Sequence, residues 1–228
     1  MKQVWHDLLF AHWPIPLEQL RPLIPEVLHV DTYKGQAWIG IVPFRMSGIR
    51  PRWLPALPWF SAFPELNVRT YVITDHKPGV WFFSLDATNP VAVAVARRWY
   101  HLPYFHARMS CRRVGDGVAY ESQRVQRGAP PAAFSGKYQP VSPVFQAERG
   151  SLAYWLTERY CLYAVDSRQR VFRAEIDHPP WSLHLAKAEI ANETMTIPLG
   201  IKLPIIPPLL HFSRRQEVAV WPLTAVAE

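Results

Sequence analysis

Apolar and polar residues alternate along several stretches of the chain, and a period of two predicts β-strands. This pattern covers more of the sequence than any helical period, so we expect a mainly β (α+β) fold. The stretches with this alternation, or with a short continuous apolar run, are 4–13, 27–32, 37–44, 63–72, 80–87, 118–126, 161–165, 171–176 and 181–190, with another beginning at 107 and a last one within 211–222.

Few helices are expected, because prolines interrupt the chain often. The sequence contains 23 prolines and 10 glycines, and proline disrupts helix interiors. Asn89 and Pro90 form a good helix start, with asparagine as the N-cap and proline at the first helical position. Short helices are predicted at 17–21, 91–100 and 151–159.

Three segments rich in proline or small residues are predicted to be loops, namely 45–64, 128–143 and 196–208. The first is the longest and also contains tryptophans. A loop of this length inside a compact domain is usually functional, and it would then serve as a lid. A packed surface Ω-loop, pinned by its aromatic side chains, is the alternative.

The stretch 63–72 carries the most informative polar pattern in the chain. One face of this strand is mostly apolar and is predicted to meet a core. The other face presents Glu65, Asn67, Arg69 and Tyr71 in one row. A carboxylate, an amide, a guanidinium and a phenol in sequence suit recognition of a small polar ligand in an enclosed cavity. A solvated face with a local Glu65–Arg69 ion pair explains the same pattern.

More polar residues follow within the next hairpin arm and helix, and we expect them to lie near the same place. They are Ser84 and Asp86 on the next strand, Arg97 in the last turn of the helix, Tyr104 and His106 beyond it, and His12 on the first strand as a further candidate.

The composition is that of a globular protein without an obvious macromolecular partner. The 228 residues, 49% of them hydrophobic, are undivided by any linker, so we expect a single domain over 1–228. The net charge of +7 comes from scattered arginines rather than from a basic run, which does not favour nucleic acid or a membrane. Arginine suits an anionic small ligand, because its planar fork matches two carboxylate oxygens.

Two further features predict a cytoplasmic location. The N-terminal region is unlike a signal peptide, and no stretch is long and apolar enough to span a membrane. Cys111 and Cys161 lie far apart, as is typical of buried thiols in a reducing compartment. The sequence leaves the quaternary state open, including a homo-oligomer.

Common catalytic motifs are absent from the sequence. It has no H-E-x-x-H, zinc-finger spacing, G-x-S-x-G, P-loop or dinucleotide glycine fingerprint. We therefore expect no metal and no cofactor, and a site built from ordinary side chains.

Five stretches together resemble the uncharacterised YqjF-like family, which is itself distantly similar to acetoacetate decarboxylase. The resemblance implies an antiparallel, cone-shaped β-barrel with a few short peripheral helices and a ligand cavity inside. The stretches are WHDLLFAHW at 5–13, PFR at 43–45, ELNVRTYV at 65–72, FSLDA at 83–87 and LPY at 102–104.

The same resemblance indicates which chemistry is missing. Leu102-Pro103-Tyr104-Phe105 falls where the decarboxylase has Tyr-Pro-Lys-Lys. In that enzyme the first lysine forms a Schiff base and the second lowers the pKa of the first. Tyr104 and Phe105 supply no amine, so the resemblance implies that the Schiff-base mechanism is absent while the cavity persists.

We therefore expect a protein that binds a small organic acid or oxo-acid-like ligand, with a lyase or hydrolase step as the fitting chemistry. Arg69, and Arg97 with it, would hold a carboxylate or enolate oxygen. Glu65 would act as general base or orient the arginine, and Tyr104 would donate to developing negative charge. The remaining ligand-binding candidates are Asn67, Tyr71, Ser84, Asp86 and His106.

Two other classes of function fit the same residues. One is a non-catalytic ligand-binding module that kept the cavity and lost the amine. The other is a structural or oligomeric protein in which Glu65 and Arg69 form a structural ion pair.

Overall fold

The computed structural model describes residues 1–50, 62–166 and 168–226. Within these ranges thirteen strands pair into one sheet. They are β1 Lys2–Ile15, β2 His29–Val30, β3 Ala37–Arg50, β4 Phe63–Thr74, β5 Lys77–Ala87, β6 Tyr104–Val114, β7 Gly117–Arg124, β8 Ala133–Pro140, β9 Cys161–Val165, β10 Val171–Asp177, β11 His184–Glu193, β12 Leu209–Val220 and β13 Thr224–Ala225.

The sheet closes on itself. Its strand order is β13-β10-β9-β5-β6-β7-β8-β11-β12-β1-β3-β4-β2, and β4 also pairs with β5 and β10 with β12. With these two extra pairings, two rings of strands both contain β12, β1, β3, β4 and β5. One ring is completed by β9 and β10, and the other by β6, β7, β8 and β11. The described pairings are antiparallel, except that β5 runs parallel to β6 and to β9. The predicted mainly β class is confirmed.

Short helices connect the strands of the sheet near the predicted positions. They are α1 Leu17–Leu20, α2 Pro90–Trp99 and α3 Leu152–Thr157, with 3-10 turns at Arg21–Leu23 and Ile197–Leu199. Asn89 caps α2 as expected, since its Oδ1 accepts a hydrogen bond of 3.0 Å from the amide of Val91. Among the described residues, no helix combines the length and hydrophobicity needed to cross a bilayer.

Two of the predicted loops contain strand. Within 128–143 lies β8, which pairs with β7 on one side and β11 on the other. Its sequence has no clear alternation, so these neighbours rather than local propensity make it a strand. Residues 45–50 continue β3, and 63–64 begin β4. The part of the predicted lid or Ω-loop between them, 51–61, lies outside the described residues.

The apolar face of β4 packs into the largest core cluster, as predicted. Leu66, Val68 and Val72 are fully buried there, in a cluster that also contains Leu9 of β1 and Ile41 of β3. Because alternate residues of a strand point to opposite faces, the polar row of β4 faces the other side of the sheet. The packing of one face thus fixes the direction of the other.

Gly40 of β3 allows two buried polar side chains to lie close to the backbone. It is paired with Arg69 on one neighbouring strand and with His12 on the other. A Cβ at this position would lie 2.9 Å from Cδ2 of His12 and 3.6 Å from Cγ of Arg69. Only a residue without a side chain leaves the His12 ring in its present place.

Substituting Gly40→Ala tests this contact. We expect the added methyl group to displace His12 and to lower the free energy of unfolding by about 1–3 kcal/mol, measured by urea denaturation. Combining it with His12→Ala removes the clash, so the double variant should lose less than the sum of the two single changes. Strict additivity would show that the His12 contact is not the reason for glycine.

Candidate ligand cavity

The strands shared by the rings enclose a cavity of about 610 Å³. Residues of β1, β3, β4 and β5 line it together with residues of α2, β6, β9, β10 and β12, of α3 and of the segment after α3. Most of the lining side chains are apolar. The polar ones are Gln3, Glu65, Asn67, Arg69, Tyr100, Tyr104, Thr157, Arg159 and His178.

The structure brings four of the sequence-predicted residues to the cavity wall. Glu65, Asn67 and Arg69 lie on β4 at alternate positions, and Tyr104 begins β6. All three β4 residues are buried, with exposures of 3%, 5% and 7%. The polar row therefore faces the cavity and not open solvent.

Tyr71 and His12 extend the row but are not among the residues that line the cavity. The Tyr71 hydroxyl donates to the carbonyl of Leu156 at 2.8 Å and lies 2.6 Å from Nε2 of His12. Because the phenol gives its one proton to the Leu156 carbonyl, Nε2 of His12 donates to the phenol oxygen. Burial, followed by the charge of Arg69, lowers the pKa of His12 well below its usual value.

Ser84 and Asp86 do not join the polar row, contrary to the sequence-based expectation. The β4–β5 register shifts between Val68 and Arg69, which places Ser84 opposite Val68 and Asp86 opposite Leu66. This irregularity reverses the alternation along β5, so both side chains share the core face. Asp86 there accepts two hydrogen bonds from Arg124, at 2.7 and 3.0 Å.

Arg97 and His106 also lie away from the main cavity. Arg97 is exposed on α2, and both residues border a separate cleft that contains Arg98 and Gln126. The helix presents its other side to the main cavity, through Ala96 and Tyr100. Proximity in sequence therefore did not translate into a shared site for these two residues.

Glu65 and Tyr104 form a hydrogen-bonded pair at the cavity wall. The Tyr104 hydroxyl donates a hydrogen bond to Oε2 of Glu65 at 2.9 Å. The Tyr120 hydroxyl donates to the backbone carbonyl of Glu65 at 2.7 Å. Burial raises the pKa of Glu65 to about 8, partly offset by the bond from Tyr104. Burial and the neighbouring Glu65 raise the pKa of Tyr104 well above its usual value. Both groups therefore carry their protons at neutral pH.

Arg69 is a buried cation without a carboxylate partner. Its Nη2 donates to the carbonyl of Leu156 at 3.2 Å, and its Cζ lies 5.3 Å from the ring centroid of Phe10 and 5.7 Å from that of Tyr71. Among the described residues, no carboxylate oxygen lies within 4.0 Å of the guanidinium. Its Nε has no hydrogen-bond partner in the same part of the chain. The Glu65–Arg69 ion pair considered from the sequence is not formed.

Arg159 is a second cavity arginine, and sequence reasoning missed it. Its Nη1 lies 2.6 Å from Oδ2 of Asp31, and its Nε donates to the carbonyl of Trp155 at 2.7 Å. Nη2 has no partner among the described residues. Arg159 follows α3 in a segment without alternation, so no local pattern signals its position.

The described residues offer no site for a metal ion. They contain no group of three or more histidine, cysteine, aspartate or glutamate side chains arranged to hold one. Cys111 and Cys161 are free thiols. The polar groups that line the cavity in the described part of the chain include two guanidinium groups, a protonated carboxyl, two phenols and an imidazole.

Solved structures with a similar fold are acetoacetate decarboxylase-like. The enduracididine biosynthesis enzyme MppR in complex with pyruvate superposes with a TM-score of 0.68 at 10% identity, covering 99% of this chain and 90% of that one. The acetoacetate decarboxylase of Legionella pneumophila gives a TM-score of 0.63 at 11% identity, covering 99% and 87%. These likenesses establish an acetoacetate decarboxylase-like fold.

The particular family is defined by sequence. Residues 2–217 match the DUF2071 family, described as an uncharacterized conserved protein. The chain is also 50% identical over 223 residues to the uncharacterized protein YqjF of Bacillus subtilis (strain 168), covering 98% of this chain and 91% of that protein. The protein belongs to the DUF2071 family, which confirms the family resemblance seen in the sequence.

The raised pKa of Glu65 predicts a specific pH dependence of stability. The pKa of Glu65 is about 8 in the folded protein and 4.5 for an ordinary glutamate. Between pH 4.5 and 8, the folded state therefore keeps a proton on Glu65 that the unfolded state has released. Stability should therefore fall as pH rises through this window, by about 1.4 kcal/mol per unit at most. Glu65→Gln should flatten the fall, measured by urea denaturation at several pH values.

The window from pH 6.5 to 8 isolates this effect best. The buried His12 and His211 have lowered pKa values, so they make stability rise with pH below about 6.5, in the opposite direction. An identical slope above pH 6.5 in the wild type and in Glu65→Gln would show that Glu65 is already ionised there.

Proposed function

We propose that the protein binds a small organic anion in this cavity, with Arg69 holding a carboxylate or enolate oxygen. The observation that carries the proposal is the buried guanidinium of Arg69, which has no carboxylate counter-ion within 4.0 Å among the described residues and an unsatisfied Nε. Burying an unpaired charge costs several kcal/mol, and a bound anion would offset that cost.

The charges around Arg69 support an anionic ligand. Asp31 is already paired with Arg159, and Glu65 is neutral at pH 7 because its pKa is raised to about 8. The rings of Phe10 and Tyr71 and the carbonyl of Leu156 hold the guanidinium without neutralising it. The cavity wall is thus positively charged where Arg69 lies.

Glu65 and Tyr104 give this site the means for acid catalysis. The Tyr104 hydroxyl gives its one proton to Oε2 of Glu65. The protonated carboxyl of Glu65 is therefore the group that can donate a hydrogen bond to a carbonyl or enolate oxygen as negative charge develops on it. Glu65 is therefore proposed as an acid, in place of the base or arginine-orienting role expected from sequence. A lyase or hydrolase step on an oxo-acid-like ligand fits these groups, and the pyruvate complex of the similar fold supports that ligand class.

A Schiff-base mechanism that uses a lysine has no lysine amine available in this cavity. The chain has lysines only at 2, 34, 77, 137, 187 and 202, and none of them lines the cavity. This leaves a non-catalytic binding module as the second candidate function. Product analysis with oxo-acids separates the two, because only an enzyme converts them.

Replacing Arg69 should remove anion binding without unfolding the protein. For Arg69→Met we expect unchanged or higher stability in the absence of ligand, because a buried unpaired charge is lost. Thermal unfolding with a panel of monocarboxylates from pyruvate to decanoate checks this. At about one hundred times its Kd, a binding acid stabilises the wild type by about 2.7 kcal/mol, and Arg69→Met should lose this gain.

Arg97→Met is the matched control. It removes the same charge from an exposed position on α2 that does not line the main cavity, so it should keep the stabilisation by carboxylates. The proposal is wrong if no acid of the panel stabilises the wild type, or if both variants respond to the acids equally.

Reduction with borohydride in the presence of pyruvate should leave every lysine unmodified. Trapping requires an imine between a primary amine and the oxo group, and no lysine reaches the cavity. Peptide mass mapping after the reaction measures this directly. Stoichiometric labelling of Lys187 or Lys137 would contradict it.

A further inference from the structure

Two groups of polar side chains lie at different places along the cavity. Arg69 and Arg159 share one end, since their Cζ atoms lie 5.7 and 4.8 Å from the ring centroid of Tyr71. The Glu65–Tyr104 pair marks the other. Glu65 and Arg69 are four residues apart on one strand, which separates their backbone positions by roughly 13 Å.

The wall between the two ends is mostly apolar, although Asn67 of β4 lies between Glu65 and Arg69 and also lines the cavity. On the strands that flank β4, Val42 and Leu85 lie opposite Asn67, and Phe44 and Ala87 lie opposite Glu65. Val42, Phe44 and Leu85 line the cavity. A ligand that extends from the arginines toward Glu65 therefore meets hydrocarbon along most of its length.

The cavity is too large for a short oxo-acid alone. Its volume of about 610 Å³ equals about twenty water molecules at roughly 30 Å³ each. Cavities of about 300–1,000 Å³ are typical for drug-sized ligands. A three-carbon acid would leave most of this space to water against apolar side chains, which is unfavourable.

Two guanidinium groups provide the polar anchor for a larger ligand. Arg69 and Arg159 both line the cavity, and each has a buried nitrogen without a partner among the described residues, Nε of Arg69 and Nη2 of Arg159. Asp31 and the carbonyl of Trp155 hold the rest of the Arg159 guanidinium in place. Guanidinium N–H groups are strong donors to carboxylate oxygens.

We propose that the ligand is an amphipathic monocarboxylic acid. Its carboxylate is held by Arg69 and Arg159, and an apolar body, such as a medium-length alkyl chain, extends along Val42 and Leu85 toward the Glu65–Tyr104 pair. This inference rests on the proposed function, because it assumes that Arg69 binds a carboxylate, and it adds the class of molecule that fills the cavity.

A chain-length series tests the apolar body. Binding of acetate, hexanoate and decanoate is measured by isothermal titration calorimetry, with decanoate kept below the concentration at which it forms micelles. Each buried methylene group improves affinity by up to roughly fourfold. We therefore expect the Kd to fall at least about tenfold from hexanoate to decanoate, and the uncharged 1-decanol to bind at least about tenfold more weakly than decanoate.

Shortening the cavity provides a second test with a matched control. Ala96 of α2 lines the cavity one helical turn before Tyr100, whose proximity contributes to the raised pKa of Tyr104. Ala96→Phe should therefore fill the Glu65–Tyr104 end, weakening decanoate at least about fivefold while hexanoate binding stays unchanged. Ala94 is exposed on the same helix and does not line this cavity, so Ala94→Phe should change neither.

The role of Arg159 is tested with its ion-pair partner removed at the same time. The double variant Asp31→Asn/Arg159→Gln leaves no unpaired charge behind and should weaken decanoate at least about fivefold, as Arg69→Met does. Unchanged affinity in the double variant would overturn the two-arginine anchor.

The outcomes distinguish this inference from the proposed function. Equal affinities for acetate and decanoate, both lost in Arg69→Met, would overturn the apolar body and leave the anion site standing. Equal binding of 1-decanol and decanoate, together with unchanged binding in Arg69→Met, would overturn both proposals.

Discussion

Burial of the Arg69 guanidinium without a carboxylate is the constraint on which the site depends. Such a charge is tolerated only where the surrounding structure holds it, and here three elements do so. The strand β4 places Arg69 at the cavity wall, Phe10 and Tyr71 supply aromatic faces, and the carbonyl of Leu156 accepts a hydrogen bond. Gly40 leaves the space for this arrangement, because a side chain there would meet His12 and approach Arg69.

The same wall carries Glu65, a carboxylic acid that is neutral at pH 7. The site therefore combines a charged guanidinium with an uncharged carboxyl group. Arg69 stays charged although it is buried, because a guanidinium group is effectively always protonated. Burial has the opposite effect on Glu65, because it raises the pKa of this carboxyl to about 8 and so leaves it neutral at pH 7. The two groups therefore do not neutralise each other across the strand. One end of the cavity therefore carries a fixed positive charge and the other a neutral carboxyl group.

Sequence reasoning found what local alternation determines and missed what pairing determines. The period of two placed Glu65, Asn67 and Arg69 correctly on one face, and Asn89-Pro90 marked the start of α2. The register shift beside Arg69 places Ser84 and Asp86 on the core face. No residue pattern in β5 indicates this shift. Strand β8 depends on two distant neighbours, and Arg159 reaches the cavity through the course of the chain after α3. Such features arise from contacts between segments far apart in sequence, which a single sequence does not encode visibly.

The carbonyl of Leu156 accepts hydrogen bonds from both Arg69 and Tyr71, and it belongs to a helix of only six residues. A helix this short has no stability of its own and is held by its tertiary contacts. Local opening of this turn would release the guanidinium, and an anion that fixes the guanidinium would in return protect the turn. If the proposed anion binds there, occupancy of the cavity and order in α3 are thermodynamically linked, so that each reports on the other.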